Sequence, residues 1–494
     1  MFELQSVDNS NIYVQLRRRV MHSQTSANQG HDVESPVDPR RWRALAVLAI
    51  AQFMLILDIT VVTVALPDIG QDLELTRAAT TWVITAYTLL FGGLMIFGGR
   101  AADLFGARRM VLLGLAVFTG SSLLAGLAMN APMLVSGRIG QGVGAALLSP
   151  AAMSIVTTTF HGTERNKALG VWGALGGSGA AVGVLAGGLL TAGPGWEWIF
   201  FVNVPVGAVL LAVITKVVAD RPGQRGAGID VPGAVLVTAA AGAAIFGLIN
   251  AGDEGWADAS TLVTLAAAVV VGAVFLAYQF RATDPLLDPR LLMRRPVAAG
   301  VVLMFVATGL LITGFFLGSF YLQQAEGNSA LVTGLLFVPV ALGTIAGAHN
   351  AGHFIGRFGY RPVGIAGLAV AAVGAAVPVL WSDTIPLVAG LTVAAAGQGA
   401  TIVTATTIAL ANVEHRQAGV ASGLVNTFHE VGSAFGVAVT STIAAVSLRT
   451  LGADASGFTN AFTASAVLAI VVAVAAAAFI PAGKPPAGLR VSVH

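Results

Sequence analysis

The chain has 494 residues, of which 56% are hydrophobic and only 10% charged, and its mean hydropathy is +0.81. Soluble domains carry about a quarter of charged residues, so this composition excludes a water-soluble globular protein and indicates a membrane protein. The formal net charge of +2 favours neither nucleic acid nor acidic molecules as partners. The absence of cysteine excludes disulfides, thiolate metal sites and cysteine nucleophiles.

The first segment, 1–41, is polar and contains three consecutive arginines, Arg17–Arg19. It has no apolar run of the kind that forms a signal peptide. We expect a disordered cytoplasmic tail here, with Met21 as an alternative start to Met1.

The rest of the chain divides into apolar runs that are long enough to cross a membrane. A helix needs roughly 20 mostly apolar residues to cross the hydrocarbon core, and fourteen runs meet this requirement. The predicted spans are Trp42–Leu66, Ala79–Gly98, Met110–Met129, Pro132–Thr157, Ala168–Thr191, Trp198–Val218, Val231–Asn250, Thr261–Phe280, Val297–Gln323, Ala330–His353, Pro362–Trp381, Pro386–Leu410, Gln417–Val446 and Phe458–Ile480.

The positions of the lysines and arginines support this number of spans. With the amino terminus inside, 23 of the 26 basic residues fall in loops on one side. Cytoplasmic loops collect Lys and Arg, so this side is predicted to be cytoplasmic, and both termini lie there. Only Arg77 and Arg449 fall on the opposite side, and Arg138 is left within a span. One span more or fewer would destroy the alternation, which favours fourteen.

Two loops half a chain apart share a pattern, "GGRAADLFGARRM" and "GHFIGRFGYRP". Such an echo is typical of the repeated bundles of secondary transporters. We predict six-helix bundles at 42–218 and 297–480, an inserted helix pair with its loops at 219–296, and a cytoplasmic tail at 481–494. The matching residues are Gly99 with Gly352, Phe105 with Phe358, Gly106 with Gly359, and Arg108 with Arg361.

The first of these loops resembles the signature of the major facilitator superfamily. The residues that carry this resemblance are Gly99, Asp103, Gly106, Arg108 and Arg109.

Four further segments resemble motifs of the same superfamily. Leu57–Gly70 is similar to the first-helix motif of its fourteen-span drug:proton antiporter branch. Arg138–Ala146 resembles the fourth-helix motif, Gly173–Leu190 the antiporter motif of the fifth helix, and Trp196–Gly207 the entry to the sixth. The combination covers the chain from about Trp42 to Ile480 and is far more specific than any single motif.

Two sets of residues are candidates for a gate that forms and breaks as the bundles move. In the first loop, Gly99 and Gly106 allow a tight reversal, and Asp103 can interact with a helix amino terminus. Arg108 and Arg109 belong to the same loop, which alternatively only enforces topology. In the fifth span the candidates are Gly179, Gly183 and Gly187, whose spacing allows close helix packing in lipid, whether static or sliding.

Charges at membrane depth are the candidates for proton coupling, because each is costly there and persists for a reason. These are Asp58, Arg138 and Glu430. Counted from the outer ends of their predicted spans, Asp58 lies roughly 12 Å deep and Arg138 roughly 9 Å. We expect the two side chains to face each other, directly or through water. The alternative for each acid is a structural role, as a static ion pair for Asp58 and as a protonated, hydrogen-bonded group for Glu430.

Several polar residues within spans are candidates to line a substrate cavity. His349 and His353 have the spacing of metal ligands, but no third ligand accompanies them, and no metal site is predicted. The cavity candidates are Gln52, Tyr87, Gln141, Gln398, Asn426 and His429.

The resemblance implies a secondary transporter of the cell membrane that exports amphipathic organic compounds, such as antibiotics, in exchange for protons. It implies no enzymatic activity and no cofactor, and we expect a monomer. The alternative is a facilitator or importer of a small nutrient on the same fold, because Ala180 and Val184 stand where the fifth-helix motif usually has prolines. A membrane enzyme or sensor would need a catalytic cluster or a soluble domain, which the sequence does not indicate.

Overall fold

The computed structural model describes residues 40–220, 223, 228, 230–381, 383–411, 413, 418–450 and 454–483. Among them no strand occurs, so the all-helical fold predicted from the sequence is confirmed. The predicted tails lie outside the described residues, except for a few residues next to the first and last helices. The long helices are α1 (Arg41–Asp72), α2 (Arg77–Phe105), α3 (Ala107–Gly126), α4 (Ala131–Thr159), α5 (Gly162–Ala192), α6 (Asn203–Val217), α7 (Val231–Asp253), α8 (Ala259–Gln279), α9 (Arg295–Phe320), α10 (Ala330–Phe358), α11 (Tyr360–Leu380), α12 (Thr384–Ala411), α13 (Ala418–Ile443) and α14 (Ser456–Phe479).

Each predicted span coincides with one of these helices. In the described part of the chain, thirteen helices are long and apolar enough to cross a membrane. The remaining predicted span coincides with α13, which has 26 residues and therefore measures roughly 39 Å. Its middle carries Asn426, His429 and Glu430, which lower its apolar character.

Some helix ends differ from the predicted ones. The first span was predicted to end at Leu66, but α1 continues through Pro67 to Asp72. A proline removes one backbone donor, and here that loss does not end the helix. Helix α9 continues as a short π-helical turn, Tyr321–Ala325, and a four-residue helix, Trp198–Phe201, precedes α6.

The echo between the two loops extends over a much longer stretch, with a constant offset of 253 positions between equivalent residues. Thr76 caps α2 by accepting from the backbone of Ala79, and Ser329 caps α10 in the same way. The cap satisfies a backbone N–H that has no partner within the helix. Equivalent chemistry therefore starts equivalent helices in the two halves.

The repeat also extends into the packing of the helices. A Cβ at Gly114 of α3 would lie 2.6 Å from the carbonyl oxygen of Gly144 of α4. At the same offset, a Cβ at Gly367 of α11 would lie 2.9 Å from the carbonyl oxygen of Gly397 of α12. Only glycine permits such a close approach of two helix backbones in lipid, so both halves use the same device.

The two echoing loops have the same structure. Gly106, with a φ of 95°, ends α2 and begins α3, and Gly359, with a φ of 89°, ends α10 and begins α11. Glycine adopts such positive φ values without strain. Arg108 donates to the carbonyl of Thr215 at the end of α6.

The equivalent arginine of the second loop makes the equivalent contact. Nε of Arg361 donates to the carbonyl of Ile480, directly after the last residue of α14, over 3.0 Å. A cation at the carboxyl end of a helix satisfies carbonyls that lack a helical partner and interacts favourably with the helix dipole. In each half, the basic residue of the loop thus fastens the last predicted helix of that bundle.

The helix pairs that join the predicted bundles include α2 with α13 and α5 with α10. Ser319 of α9 and Gln323 also donate to the carbonyl of Val64 on α1. Helix α7 of the predicted insertion packs on α8 and also on both α2 and α13. Helix α7 therefore lies against the junction of the two bundles. The division of the chain at 218 and 297 stays a prediction.

Candidate functional site

The structure brings Asp58 of α1 and Arg138 of α4 into direct contact. Nη1 of Arg138 donates to Oδ2 of Asp58, and each side chain is only 1% exposed. The contact between these two side chains, which their similar predicted depths indicated, is therefore present. The depth of Asp58 was counted from Leu66, whereas α1 runs on to Asp72.

Two side-chain amides complete the surroundings of Asp58. Oδ1 accepts from Nε2 of Gln141 at 2.9 Å and from Nδ2 of Asn203 at 3.2 Å. Gln141 also donates to the hydroxyl of Ser122 and accepts from Nη1 of Arg138, at 2.9 and 2.8 Å. We call Asp58, Arg138, Gln141, Asn203 and Ser122 the buried network; all five are at most 2% exposed.

Arg138 has further partners outside this network. Its Nε donates to the carbonyl of Val83 at 2.8 Å, and its guanidinium carbon lies 4.4 Å from the centre of the Tyr87 ring. Tyr87 in turn donates to the carbonyl of Leu55. A guanidinium over an aromatic face is stabilised by the ring quadrupole. Four helices, α1, α2, α4 and α6, thus hold the charge in place, together with Ser122 of α3.

Small residues in α4 leave room for this arrangement. The helix starts at a cap in which Asn130 accepts from the backbone of Met133 at 3.0 Å. A Cβ at Gly142 would lie 2.6 Å from the carbonyl oxygen of Tyr87, and one at Gly137 would lie 2.9 Å from the Cβ of Ala125. The glycines therefore let α2 and α3 approach α4 closely enough to surround Arg138.

The second half has an apolar cavity where the first half has the buried network. At the offset of 253, Asp58 corresponds to Leu311 and Arg138 to Leu391, and both leucines line this small cavity. The residues equivalent to Gln141, Ser122 and Tyr87 are Ala394, Ala375 and Val340, which line the same cavity. The two halves therefore share a framework but differ in the chemistry at its centre.

Glu430 lies on α13 where this helix meets α2. A Cβ at Gly92 would lie 2.7 Å from the Cβ of Glu430, and Glu430 is 6% exposed. Its Oε1 lies 3.1 Å from Nδ1 of His429, whose side chain is 37% exposed, whereas Oε2 is buried and has no hydrogen-bond partner. This acid therefore has a free buried oxygen at the junction of the bundles.

The other cavity candidates lie in different surroundings. Gln141 belongs to the buried network, and Tyr87 contacts it. Oε1 of Gln52 is buried and has no hydrogen-bond partner. Gln398 lines the apolar cavity of the second half. Asn426 is exposed and donates to the carbonyl of Ser422 on its own helix.

The gate candidates of the first loop make few contacts between bundles. Arg108 fastens α6, while Asp103 and Arg109 are exposed. A Cβ added at Gly99 would lie 3.7 Å from Cβ of Pro150, which is an ordinary contact distance. Gly106 forms the turn between α2 and α3. The arrangement holds α2, α3, α4 and α6 of one bundle together.

The glycines of α5 pack on α1. A Cβ at Gly179 would lie 2.7 Å from Cγ2 of Ile56, and one at Gly187 would lie 2.9 Å from the carbonyl oxygen of Val61. A Cβ at Gly183 would overlap the hydroxyl of Thr60. The spacing thus places all three against one neighbouring helix.

Helix α5 contacts α10 toward the side opposite the predicted cytoplasmic side, which we call the outer side. A Cβ at Gly188 would lie 2.7 Å from the carbonyl oxygen of Ala330, and one at Gly334 would lie 2.5 Å from that of Val184. In the other half of α5, a Cβ at Gly170, Gly173 or Gly176 would meet nothing within 4 Å. Helix α5 therefore contacts α10 at the outer side and has free surface at these three glycines toward the predicted cytoplasmic side.

Some residues of these sites were missed from the sequence. Asn203 lies in Trp196–Gly207, the segment that resembles the entry to the sixth helix, but its amide was not assigned to Asp58. Asp253, at the end of α7, accepts from both Arg77 and Arg449. The signal for it was present, since these are the two arginines on the side with few basic residues. Among the described residues, no group of three His, Asp or Glu side chains is arranged to hold a metal ion.

Internally repeated helical bundles with an ion pair buried inside one of them are typical of secondary transporters. A family model described as Major Facilitator Superfamily matches residues 48–348 and 297–493. The chain belongs to this superfamily and is a multi-pass membrane protein.

Relatives with assigned roles match over most of their length. The chain is 37% identical over 415 residues to the puromycin resistance protein pur8 of Streptomyces alboniger, covering 82% of each chain. It is 36% identical over 442 residues to the cephamycin export protein CmcT of Amycolatopsis lactamdurans, covering 87% of this chain and 91% of the other.

Solved structures share the fold at low identity. A POT family transporter in complex with 5-aminolevulinic acid has a TM-score of 0.65 at 15% identity, covering 88% of this chain and 95% of the other. A bacterial homologue of the human lysosomal transporter Spinster, in an inward-facing and unoccupied conformation, has a TM-score of 0.61 at 18% identity, covering 90% and 96%. These likenesses concern the fold alone.

Proposed function

We propose that the protein exports amphipathic organic compounds of antibiotic type across the cell membrane in exchange for protons. The names of the two relatives, a resistance protein and an export protein, support export. The observation that carries the proton coupling is the ion pair of Asp58 and Arg138, each only 1% exposed inside one bundle. Charges at such depth are costly and are retained for ion movement.

Proton uptake at Asp58 has a direct mechanical consequence. The carboxylate accepts from Arg138, Gln141 and Asn203, and charge-assisted hydrogen bonds of this kind are about twice as strong as neutral ones. A proton on Asp58 removes that charge and weakens its hold on α4 and α6. Arg138 stays charged, because a guanidinium does not release its proton at working pH, and so turns to other acceptors.

Glu430 is the second proton site in this proposal. Its free Oε2 lies between α2 and α13, one helix from each bundle. A proton on this oxygen neutralises the carboxylate, so that no buried charge is left without a partner. Loss of the proton leaves a buried negative charge, which favours separation of the two helices. The driving force is proton entry, to which the membrane potential contributes about 2.3 kcal/mol for one charge per 100 mV.

Two features support the orientation assumed in this proposal. The side rich in arginines is cytoplasmic in this proposal, as the distribution of basic residues supports. The contact of Gly188 with Ala330 and the free surface at Gly173 support a cavity that opens to that side. Rocking of the two bundles then carries the substrate outward, and the transporter works as a monomer without a cofactor.

The proposal is tested with inverted membrane vesicles and a fluorescent amphipathic cation. An imposed pH gradient should drive uptake in vesicles with the wild-type protein and not in Asp58→Asn or Glu430→Gln. The matched control is Asp258→Asn, because Asp258 only caps α8. Undiminished gradient-driven uptake in both variants would rule out their coupling roles, and uptake in wild type without a gradient would instead support a facilitator.

A further inference from the structure

The two arginines that depart from the charge distribution converge on one carboxylate. Nε of Arg77, the first residue of α2, lies 2.9 Å from Oδ1 of Asp253. Nη2 of Arg449, in the short helix after α13, lies 2.8 Å from the same oxygen. Asp253 is the last residue of α7, so an element of the predicted insertion joins one arginine from each bundle.

The carboxyl end of α7 binds these arginines through its backbone as well. Arg77 donates to the carbonyl of Ile249, and Arg449 donates to that of Gly252 at 2.6 Å. Carbonyls in the last turn lack partners within the helix and carry a partial negative charge. A cation from each bundle therefore satisfies the same helix end.

Hydroxyl groups connect the same three helices. Nη1 of Arg77 donates to Oγ of Ser441 on α13 at 2.8 Å, and Oγ1 of Thr81 lies 2.6 Å from that oxygen. Thr442 of α13 donates to the carbonyl of Leu248 on α7 at 2.6 Å. We call Arg77, Ser441, Thr442, Arg449 and the end of α7 with Asp253 the outer cluster.

Gly252 is required for the close approach of these groups. A Cβ at this position would lie 2.8 Å from Nη2 of Arg77 and 3.0 Å from Cα of Thr442. Next to the cluster, Arg77 and Thr80 line a small cavity together with Phe316 and Phe320 of α9. This outer cavity lies between the two bundles.

We propose that the inserted helix pair is part of the outer gate and that the end of α7 holds this gate closed. The proposal rests on the proposed function, because it assumes alternating access and the stated orientation. When α2 and α13 separate to open the outer cavity, Asp253 cannot keep both arginines. Three elements, one from each bundle and one from the insertion, therefore set the equilibrium between the closed and open outer side.

The exposure of the two arginines indicates which contacts of the outer cluster break first when the gate opens. The Arg77 side chain is 3% exposed and donates to Asp253, Ser441 and a backbone carbonyl, whereas the Arg449 side chain is 47% exposed. Exposed ion pairs contribute little. Helix α7 therefore stays with α2, and the contacts to Arg449, Ser441 and Thr442 break.

The absence of cysteine makes a direct test available, since Thr80→Cys places a single thiol in the outer cavity. Its rate of labelling by a membrane-impermeant maleimide in intact cells measures opening. Asp253→Asn should raise this rate by about tenfold, the shift in a two-state equilibrium that follows from losing charge-assisted hydrogen bonds. Asp258→Asn, five residues further in the same loop, is the control and should leave it unchanged.

Three further variants keep the test decisive if Asp253→Asn folds poorly. Gly252→Ala keeps every charge but adds the Cβ that meets Arg77, and it should also raise labelling. Arg77→Gln loses the contact to Ser441, and Arg449→Gln loses the contacts to Gly252 and Asp253. Both contacts break on opening, so each variant should raise labelling. Equal labelling in Asp253→Asn, Gly252→Ala and the control would overturn the proposal. Because labelling needs neither substrate nor gradient, it succeeds or fails independently of the vesicle experiment.

Discussion

Nη1 of Arg138 donates to Oδ2 of Asp58 in surroundings that leave each side chain 1% exposed. Removing two charges from water costs several kcal/mol per ion, and their attraction compensates only when the remaining donors and acceptors are also satisfied. Gln141, Asn203 and the carbonyl of Val83 provide those partners. The pair is therefore one unit, and loss of one member affects the other.

The residues at the equivalent positions of the second half suggest which substitutions test whether Asp58 and Arg138 act as one unit. These positions hold Leu311 and Leu391, which pack without any charge. We expect Asp58→Leu or Arg138→Leu alone to destabilise the protein by about 3–5 kcal/mol, because each leaves a buried charge without its partner. The double variant should recover most of that loss but transport nothing. Thermal unfolding in mild detergent measures the first effect.

The control for this prediction is Leu311→Ala in the second half, which removes apolar volume but breaks no ion pair. A double variant whose destabilisation equals the sum of both single ones would mean that the two residues do not act as a pair.

The sequence predicts a contact between two residues well when each has few possible partners, and poorly when it has many. Asp58 and Arg138 could be paired because no other opposite charges share their depth in one bundle. Asn203 could not be assigned, because an amide near a helix start has many acceptable partners. Asp253 lies at a helix end, where an acid is usually solvated, and its arginine partners are 176 and 196 positions away in the chain.

The contact between α2 and α13 makes a second prediction. A Cβ at Gly92 would lie 2.7 Å from the Cβ of Glu430 and 3.1 Å from the carbonyl oxygen of Thr427. Gly92→Ala should therefore push α13 away from α2 and lower gradient-driven uptake severalfold at normal expression. Gly120→Ala is the matched control, since its Cβ would meet nothing within 4 Å. Equal uptake in the two variants would show that α2 and α13 need not approach this closely.

A third prediction concerns acid sensitivity of the loop at the predicted cytoplasmic end of the inserted pair. Asp230 is buried there; burial raises its pKa, but hydrogen bonds from Gln279 and from the backbones of Gly233 and Leu286 outweigh this and hold the pKa below its usual value. A lowered folded-state pKa means that this stabilisation is complete above the unfolded pKa of about 3.9 and is lost as pH falls through the folded value.

Hydrogen exchange of the Leu286 and Leu287 amides checks this. Protection should be constant from neutral pH down to the unfolded pKa and should decrease below it. In Asp230→Asn, protection should be lower at neutral pH and should lack this acid-dependent step. The same acid profile in wild type and variant would assign the step to another group.

The last prediction uses the outer contact between the bundles. Oγ1 of Thr81 on α2 lies 2.6 Å from Oγ of Ser441 on α13, so the two side chains are adjacent, as a disulfide between these positions requires. In this cysteine-free chain, the double variant Thr81→Cys, Ser441→Cys should lose transport on mild oxidation and regain it on reduction.

Each single-cysteine variant is the control and should transport under both conditions. A disulfide that forms in full while transport continues would mean that α2 and α13 stay together at the outer side throughout the cycle. Substrate release would then need a route other than their separation. The expected loss instead assigns the opening step to the helices that Arg77 joins through Ser441.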